Sequence, residues 1–348
     1  MPLDIAQIDS VVREQHARQP FSGVVQVREG GETVFATAFG YANRADAVPN
    51  VDSTRFGTAS GTKTFTGIAV CQLIEMGKLS PETLLVDVVD TVFPRFDPTI
   101  TIHHLLTHTS GAPDYFDEEE LDAQADFGAV FDDLPVYRVR DPSDLLPLFE
   151  NEPMKFLPGE RFSYNNGGYV LLGLAIEAAS GMAYTDYIEH HVFDRAGMTD
   201  SGFFEMNDLP TRTAYGYLAD GRTNIYEVTI RGTPDGGAIV TAPDMASFWD
   251  ALFGYRLISA EMTARLLHPH VAVTPGGDDD RHYGYGFWMA IEDGAVTRYS
   301  ITGADPGVAF ASAHFVADHI ELTLLGNTES DAWPLFEAMK QLILAPSS

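Results

Sequence analysis

The chain has 348 residues, of which 45% are hydrophobic, and it carries 50 acidic against 21 basic residues, a formal net charge of −29. This hydrophobic fraction predicts a packed globular protein and excludes a disordered chain. The negative charge disfavours binding to nucleic acid and to anionic membranes. Because 30 residues are aspartates and only four are lysines, two interpretations stay open: adaptation to a salt-rich host, or an acidic surface kept for solubility together with arginine-rich coding bias.

The N-terminal segment predicts an amphipathic helix. Ile5, Ile8 and Val12 recur at helical spacing, and the segment lacks the basic and apolar regions of a secretory signal. No apolar run is long enough to predict a membrane-spanning helix. Cys71 is the only cysteine, which excludes an intrachain disulfide. If Met1 is the natural start, these features predict a cytoplasmic protein.

Strand-like patterns occupy both ends of the chain, and helical patterns dominate residues 60 to 260. The predicted strands are 23–27, 33–39, 286–291, 309–316 and 321–326, and a last helix is predicted over 333–344. The acidic, proline-marked segment from Asp114 to Pro153 indicates an inserted surface loop with short helices that rims the site. The order predicts an α+β fold, with a sheet from both chain ends and a helical region inserted between them.

A Ser-x-x-Lys pattern marks the start of the helical region. Ser60 and Lys63 lie three residues apart, just before the apolar run 65–70. On a helix this spacing places the lysine amine beside the serine hydroxyl. A serine hydroxyl becomes a nucleophile when a neighbouring group takes its proton, which a lysine amine can do. The alternative is an ordinary helix start with a solvated lysine.

A second polar box follows about a hundred residues later. Tyr164 and Asn166 lie in a glycine-flanked turn before the apolar run 169–176. We expect a tyrosine hydroxyl near a lysine ammonium to favour its phenolate, so that Tyr164 can shuttle a proton. The Asn166 amide can hold the lysine and a substrate carbonyl. The alternative is a simple Asn-Gly turn whose tyrosine packs.

Together with further blocks, these boxes resemble the serine β-lactamase and penicillin-binding-protein superfamily. The resemblance is strongest to the branch that holds class C β-lactamases, D-alanyl-D-alanine carboxypeptidases, D-aminopeptidases and related esterases. Residues 102–111 resemble its Leu-Leu-x-His-x-Ser-Gly signature. Similar blocks precede it at 21–27 and 40–43 and follow it at 172–181, 196–201, 236–244 and 283–287. The resemblance implies an antiparallel sheet flanked by helices, an inserted all-α lobe, and a site in the crevice between them.

The resemblance also implies one catalytic domain over residues 1–348. Its α/β lobe would span about 1–60 and 265–348, and its helical lobe about 61–264. Residue by residue, Ser60 matches the nucleophile, Lys63 its helix partner, Tyr164 the general base and Asn166 the amide of the second box. The oxyanion hole would consist of the backbone amides of Ser60 and Ala304, and we expect no cofactor.

The third box departs from the family pattern. Thr302 and Gly303 fit it, but Ile301 stands where the family usually has lysine or histidine. We assign Asn166, Ile301, Thr302, Gly303 and Ala304 to substrate binding. Isoleucine offers no donor to the carboxylate of a β-lactam or peptide, so the sequence favours an esterase acting through an acyl-enzyme over a β-lactamase or D-amino-acid peptidase. The alternative is a binding or scaffold protein of the same fold.

The remaining clusters carry weaker signals. None of the histidines has the spacing of a known zinc or calcium site, so we expect no metal; they are His103, His104, His190, His191, His268, His270 and His282. His108 is expected to support its loop. The aromatic group Tyr283, Tyr285, Phe287 and Trp288 fits a core better than an acyl pocket. The expected partner is a small ester, β-lactam or peptide.

Overall fold

The computed structural model describes residues 3–91, 93–119, 130–132, 134–273, 281–329 and 332–345. Within these ranges, eight strands form one antiparallel sheet, and they come from both ends of the chain. They are β1 (Gly23–Glu29), β2 (Glu32–Phe39), β7 (Val271–Ala272), β8 (Arg281–Tyr283), β9 (Trp288–Glu292), β10 (Ala295–Asp305), β11 (Val308–Phe315) and β12 (Ile320–Gly326). Their spatial order is β2-β1-β12-β11-β10-β9-β8-β7.

Two small strand pairs connect the sheet to the rest of the chain. β3 (Tyr41–Asn43) pairs with β4 (Val48–Pro49), and β5 (Phe56–Gly57) pairs with β6 (Ile239–Val240). The second pair matters for the site, because β5 immediately precedes Ser60. The Thr58 amide extends the pairing by donating to the carbonyl of Ala238, at 2.8 Å.

Helices cover the two faces of the sheet and fill the centre of the sequence. They are α1 (Ile5–Arg18), α2 (Thr62–Glu75), α3 (Leu85–Val88), α4 (Ile102–Leu106), α5 (Asn166–Ser180), α6 (Tyr184–Ile188), α7 (Asp194–Ala196), α8 (Ala242–Phe253), α9 (Ala260–Leu266) and α10 (Ala332–Leu344). No helix among the described residues is both long and apolar enough to cross a bilayer. α2 is the central helix, since every residue from Thr62 to Leu73 is buried.

The core divides into two clusters, one on each face of the sheet. On one face α1 and α10 contribute Ile8, Val12, Leu335 and Met339. On the other face the sheet packs on α2, α5 and α8. The predicted α+β fold is confirmed, and the first helix has the expected apolar face, although Ile5 is 51% exposed. Burying apolar side chains on both faces is what holds the two chain ends in one sheet.

The segment from Asp114 to Pro153 differs from its expectation as a surface loop. Residues 120–129 and 133 lie outside the described residues. Of the rest, short helical turns are present at Val136–Arg138 and Pro142–Leu148, but their apolar side chains are core residues. Leu145 and Phe149 are fully buried. The acidic composition concealed apolar positions that pack on α5.

Candidate active site

Ser60 lies in a short 3₁₀ turn, Ala59–Gly61, that leads directly into α2. Ala59 has a φ of +46°, a left-handed conformation that is unfavourable for a residue with a Cβ. Such strain is stable only when the surroundings enforce it, and it is found mainly at functional sites. Here the strained residue sets the direction of Ser60 at the start of a buried helix.

Lys63 lies one turn further along α2, with its side chain 1% exposed. Its Nζ is 3.1 Å from Ser60 Oγ, 2.7 Å from Asn166 Oδ1 and 2.7 Å from the main-chain oxygen of Asp235. Three acceptors match the three hydrogens of an ammonium. The geometry therefore describes a lysine cation held against the serine hydroxyl.

Tyr164 lies on the other side of Ser60 and is hydrogen-bonded to it. The Lys63 Nζ lies 4.9 Å from the centre of its ring, and the ring stacks on Trp288 with centroids 5.8 Å apart. Burial raises the pKa of Tyr164 well above its usual value, and the carboxylate of Glu118 adds to this, while the hydrogen bond to Ser60 opposes it. The expected phenolate is therefore wrong: burial, together with the charge of nearby carboxylates, keeps Tyr164 a neutral phenol.

The start of α5 fixes the orientation of Asn166. The Asp114 carboxylate accepts the amide hydrogens of Asn166 and Gly167, at 2.7 and 2.8 Å. The Asn166 Nδ2 donates to the Phe116 oxygen at 3.2 Å, which turns Oδ1 toward Lys63. Burial raises the Asp114 pKa to about 7, although both backbone hydrogen bonds and the Lys63 charge act against it.

His108 supports the loop, as expected. Its Nδ1 accepts the Asn165 amide at 3.0 Å, and its carbonyl accepts the Ser163 amide at 2.9 Å. Burial, with a contribution from the Lys63 charge, lowers its pKa well below the usual value. A neutral His108 thus holds the two residues that flank Tyr164.

The third box lies on β10 beside the Ser60 turn. The pairing of β9 with β10 ends at Ser300, so residues 301–305 face that turn instead. A Cβ on Gly303 would come within 2.1 Å of the Thr58 oxygen and 2.8 Å of the Ser60 nitrogen. Only glycine permits this approach.

The other third-box residues differ in burial, because successive side chains of a strand point to opposite faces. Ile301 is 1% exposed and belongs to the core, whereas Thr302 is half-buried and Ala304 is exposed. Among the described residues, β10 contributes Ala304 and Asp305 to the neighbouring cavity. Three of the expected aromatics, Tyr283, Tyr285 and Phe287, are buried core residues.

A cavity of about 450 Å³ opens beside Ser60. Its wall includes Ser60, Asn166 and Ala304, together with apolar side chains from the helical region. Asp235 also lines the cavity, and its carboxylate accepts hydrogen bonds from Tyr115 and Thr233. The arrangement places a nucleophile, a cation and a neutral acid at the edge of a space that fits a small acyl compound.

Sequence reasoning singled out Ser60, Lys63, Tyr164 and Asn166, which the structure brings together, but missed the carboxylates around them. Asp235 and Asp305 adjoin blocks that were recognised for other residues, and Asp114 and Glu118 lie in the acidic segment that follows the block at 102–111. Asp305 follows Ala304 directly, and Asp235 precedes the block that begins at Gly236. An acidic residue repeatedly adjacent to a motif block was the available signal.

No three histidine, cysteine, aspartate or glutamate side chains within the described ranges are arranged to hold a metal ion. His103 instead bonds through Nδ1 to the Tyr285 hydroxyl at 2.8 Å. His270 stacks on the same tyrosine, with centroids 4.2 Å apart. These two of the seven histidines named from the sequence thus pack against the ring of Tyr285.

Comparison with known proteins gives the same family from sequence and from structure. The family model described as Beta-lactamase matches residues 8–339. Penicillin-binding protein 4* of Bacillus subtilis is 30% identical over 334 residues, which cover 90% of this chain and 70% of the relative. A penicillin-binding protein from Bacillus halodurans has a solved structure with a TM-score of 0.89 and 45% identity, covering 96% of this chain and 99% of that one.

More distant structures share the fold alone. The D-amino acid amidase of Ochrobactrum anthropi SV3 superposes with a TM-score of 0.77 at 20% identity, covering 97% of both chains. The matched family model covers most of the chain, and the Bacillus subtilis relative is 30% identical over 90% of it. The chain therefore belongs to the Beta-lactamase family, whose members include serine hydrolases of the penicillin-binding-protein type.

Proposed function

We propose that this protein is a metal-free serine hydrolase that acts through an acyl-enzyme formed on Ser60. The observation that carries the proposal is the Lys63 ammonium, 3.1 Å from Ser60 Oγ and fixed by two further acceptors at 2.7 Å. A cation at this distance stabilises the negative charge that develops on the serine oxygen during attack. The backbone amides of Ser60 and Ala304 would receive the carbonyl oxygen.

The neutral state of Tyr164 determines the proton path. As Ser60 Oγ bonds to the carbonyl carbon, its proton moves to the Tyr164 oxygen, and the phenolic proton of Tyr164 passes to the leaving oxygen or nitrogen. The tyrosine remains neutral throughout, so no standing phenolate is required. In the second step water replaces the leaving group and the same transfers run in reverse, which frees the acid and restores Ser60.

Within this class we favour small esters over β-lactams and carboxyl-terminal peptides. Ile301 is buried in the core and supplies no donor where the family has a basic residue. A lost charge-assisted hydrogen bond costs about 1.5–3 kcal/mol, or roughly ten- to a hundredfold in kcat/KM. Neutral esters have no carboxylate to satisfy. The same acyl-enzyme chemistry can also cleave amides, and a protein with the same fold is a D-amino acid amidase.

The nucleophile is tested by intact-protein mass spectrometry after exposure to a fluorophosphonate and to a slowly deacylating ester. Wild type and the control Ser10→Ala, which alters an exposed serine of α1, should each gain one adduct, and Ser60→Ala should gain none. An adduct on another residue would refute the assignment. Absence of any adduct in wild type would favour the alternative, a binding or scaffold protein of the same fold.

The ester preference is tested separately. The ratio of kcat/KM for 4-nitrophenyl butyrate to that for a chromogenic cephalosporin should exceed one in wild type and fall in Ile301→His. The direction follows from restoring a donor at the third box. Because position 301 is buried, the thermal midpoint of the variant is measured alongside. A folded variant with an unchanged ratio would contradict the role given to Ile301.

A further inference from the structure

The wall of the cavity beside Ser60 is strongly acidic. Five carboxylates contribute to it, whereas Arg222 is its only basic contributor among the described residues; the acids are Glu118, Glu227, Asp235, Asp305 and Glu329. The Arg222 side chain is 70% exposed and already bonded to Asp220 at 2.7 Å. Lys63, next to the cavity, uses its hydrogens on three other acceptors. The cavity therefore has a surplus of negative charge.

Asp305 is the carboxylate best placed to act on a bound acyl group. It directly follows Ala304, whose amide is assigned to the oxyanion hole. A Cβ on Gly236 would lie 4.0 Å from Asp305 Oδ2 and 3.7 Å from the Ala59 carbonyl oxygen. This carboxylate therefore lies about one residue's width from the Ser60 turn, on the cavity side of it.

The electrostatic state of Asp305 points in the same direction. Burial raises its pKa to about 7; the Lys63 charge opposes the shift, while Asp235, Glu118 and Glu329 add to it. All four of these neighbours either belong to the cavity or border it. A carboxylate surrounded by others is costly to ionise unless a cation joins it. A positively charged substituent on the substrate would supply that cation.

Ion pairs connect the residues on both sides of Glu118 to the segment that contains Tyr164. Lys155 bonds to Asp117 at 2.5 Å and to Ser163 Oγ at 2.8 Å, next to Tyr164. Arg161 bonds to Glu119 at 3.0 Å. The residues that flank Glu118 are thus paired with residues near Tyr164, and Glu118 itself lines the cavity.

We propose that this cavity selects acyl substrates that carry an ammonium group on the acyl side, and that Asp305 is the specificity-determining residue that receives it. The proposal rests on the proposed acyl-enzyme function. The apolar part of the wall, which includes Phe131, Phe204, Met206 and Ile230, fits an apolar group beside the ammonium. The substrate class is therefore amino esters or amino amides with a free amine and an apolar substituent, and a carboxylate at the same position would be repelled.

The test uses three anilides with one acyl skeleton, each in both enantiomers: alanine 4-nitroanilide, its N-acetyl derivative and its N-succinyl derivative. They present a cation, a neutral group and an anion. In wild type kcat/KM should decrease in that order. In Asp305→Asn the ratio of cationic to neutral substrate should fall roughly ten- to a hundredfold, the loss expected for a charge-assisted hydrogen bond. Raising the salt concentration should reduce the wild-type ratio by screening.

A matched control is Asp318→Asn, which removes the same charge from the exposed turn between β11 and β12. That turn is at the end of β11 opposite Val308, which lines the cavity. The control should keep the wild-type ratio. Equal loss in both variants would attribute the preference to net charge and overturn the role of Asp305.

The outcome separates this proposal from the hydrolase proposal. Hydrolysis of 4-nitrophenyl butyrate that depends on Ser60, without preference for the cationic anilide, would refute the charge selection and leave the hydrolase intact. If no turnover occurs, calorimetry with Ser60→Ala compares alaninamide with N-acetylalaninamide. Tighter binding of the free amine, lost in the double variant with Asp305→Asn, would support charge selection; equal binding would refute it.

Discussion

Gly303 permits the closest approach between β10 and the nucleophile turn, and Gly303→Ala tests whether that approach sets the activity. The added Cβ would lie 2.1 Å from the Thr58 oxygen and 2.8 Å from the nitrogens of Ser60 and Gly61. Ordinary contacts of a Cβ begin near 3.4 Å. Strand and turn must therefore separate by about 1.3 Å, and all three contacts are with backbone, which cannot rotate away.

This displacement affects activity more than stability. Overpacking of this kind typically costs about 1–3 kcal/mol, which lowers the thermal midpoint of a chain of this size by a few degrees. A misplacement of about 1 Å between reacting groups can cost about a hundredfold in rate. We expect kcat/KM for 4-nitrophenyl butyrate to fall by about two orders of magnitude while most of the protein remains folded at 25 °C.

The control is Gly326→Ala on β12 of the same sheet. There the new Cβ would lie 3.2 Å from a ring carbon of Phe21 and 3.4 Å from the Ala309 oxygen, so the side chain has room after a small shift. Its activity should stay within a fewfold of wild type. If Gly303→Ala keeps kcat/KM within threefold of wild type, the close approach of β10 does not set the geometry of the site.

Three further results are expected. Tyr164→Phe and Lys63→Met should each lower kcat/KM by about 10²–10⁴-fold, and the double variant should be little worse than the poorer single one, because the two side chains act on one proton; additive losses would contradict this. Molar sodium chloride should raise the thermal midpoint if the charge of −29 destabilises the fold by self-repulsion, and a flat response would favour the solubility interpretation. Burial raises the Asp305 pKa to about 7, so the free energy of unfolding should fall as pH rises from about 4 through 7. Asp305→Asn should therefore raise the thermal midpoint relative to wild type at pH 8 but not at pH 4. An equal gain at both pH values would refute this linkage.

The fold could be predicted from the sequence because its signals are local. Strands such as β1 and β12 are bounded by turns and rich in β-branched or apolar residues, and the predicted limits differ from the observed ones by one or two positions. β10, a strand of 11 residues, was not predicted from its pattern, and neither were the short strands β7 and β8. The sequence of β10 mixes Arg298, Ser300 and Gly303 with apolar residues. Residues 301–305 pair with β11 on one edge and face the Ser60 turn on the other, so they serve both the sheet and the site.

The central motif was equally local. Ser60 and Lys63 are neighbours on one helix, so their spacing alone places the amine beside the hydroxyl. The position of Asn166 followed from the second box, and its contact with Lys63 Nζ at 2.7 Å agrees with the expected arrangement. What spacing could not give is the Asp235 main-chain oxygen, which completes the lysine's acceptors from 172 residues away in the chain.

The electrostatics of the site could not be predicted, because they arise from segments that only folding brings together. A lysine beside Tyr164 predicts a stabilised phenolate, and this holds as long as no other charge is near. Burial acts first, and the carboxylates of Glu118 and Asp114, from one segment, and of Asp235, from a distant one, add to it, so the direction of the shift is reversed. The same surplus of carboxylates raises the pKa of Asp305. A cation that entered the cavity would therefore offset both shifts at once, so recognition of a charged substrate and proton transfer through Tyr164 depend on one electrostatic environment.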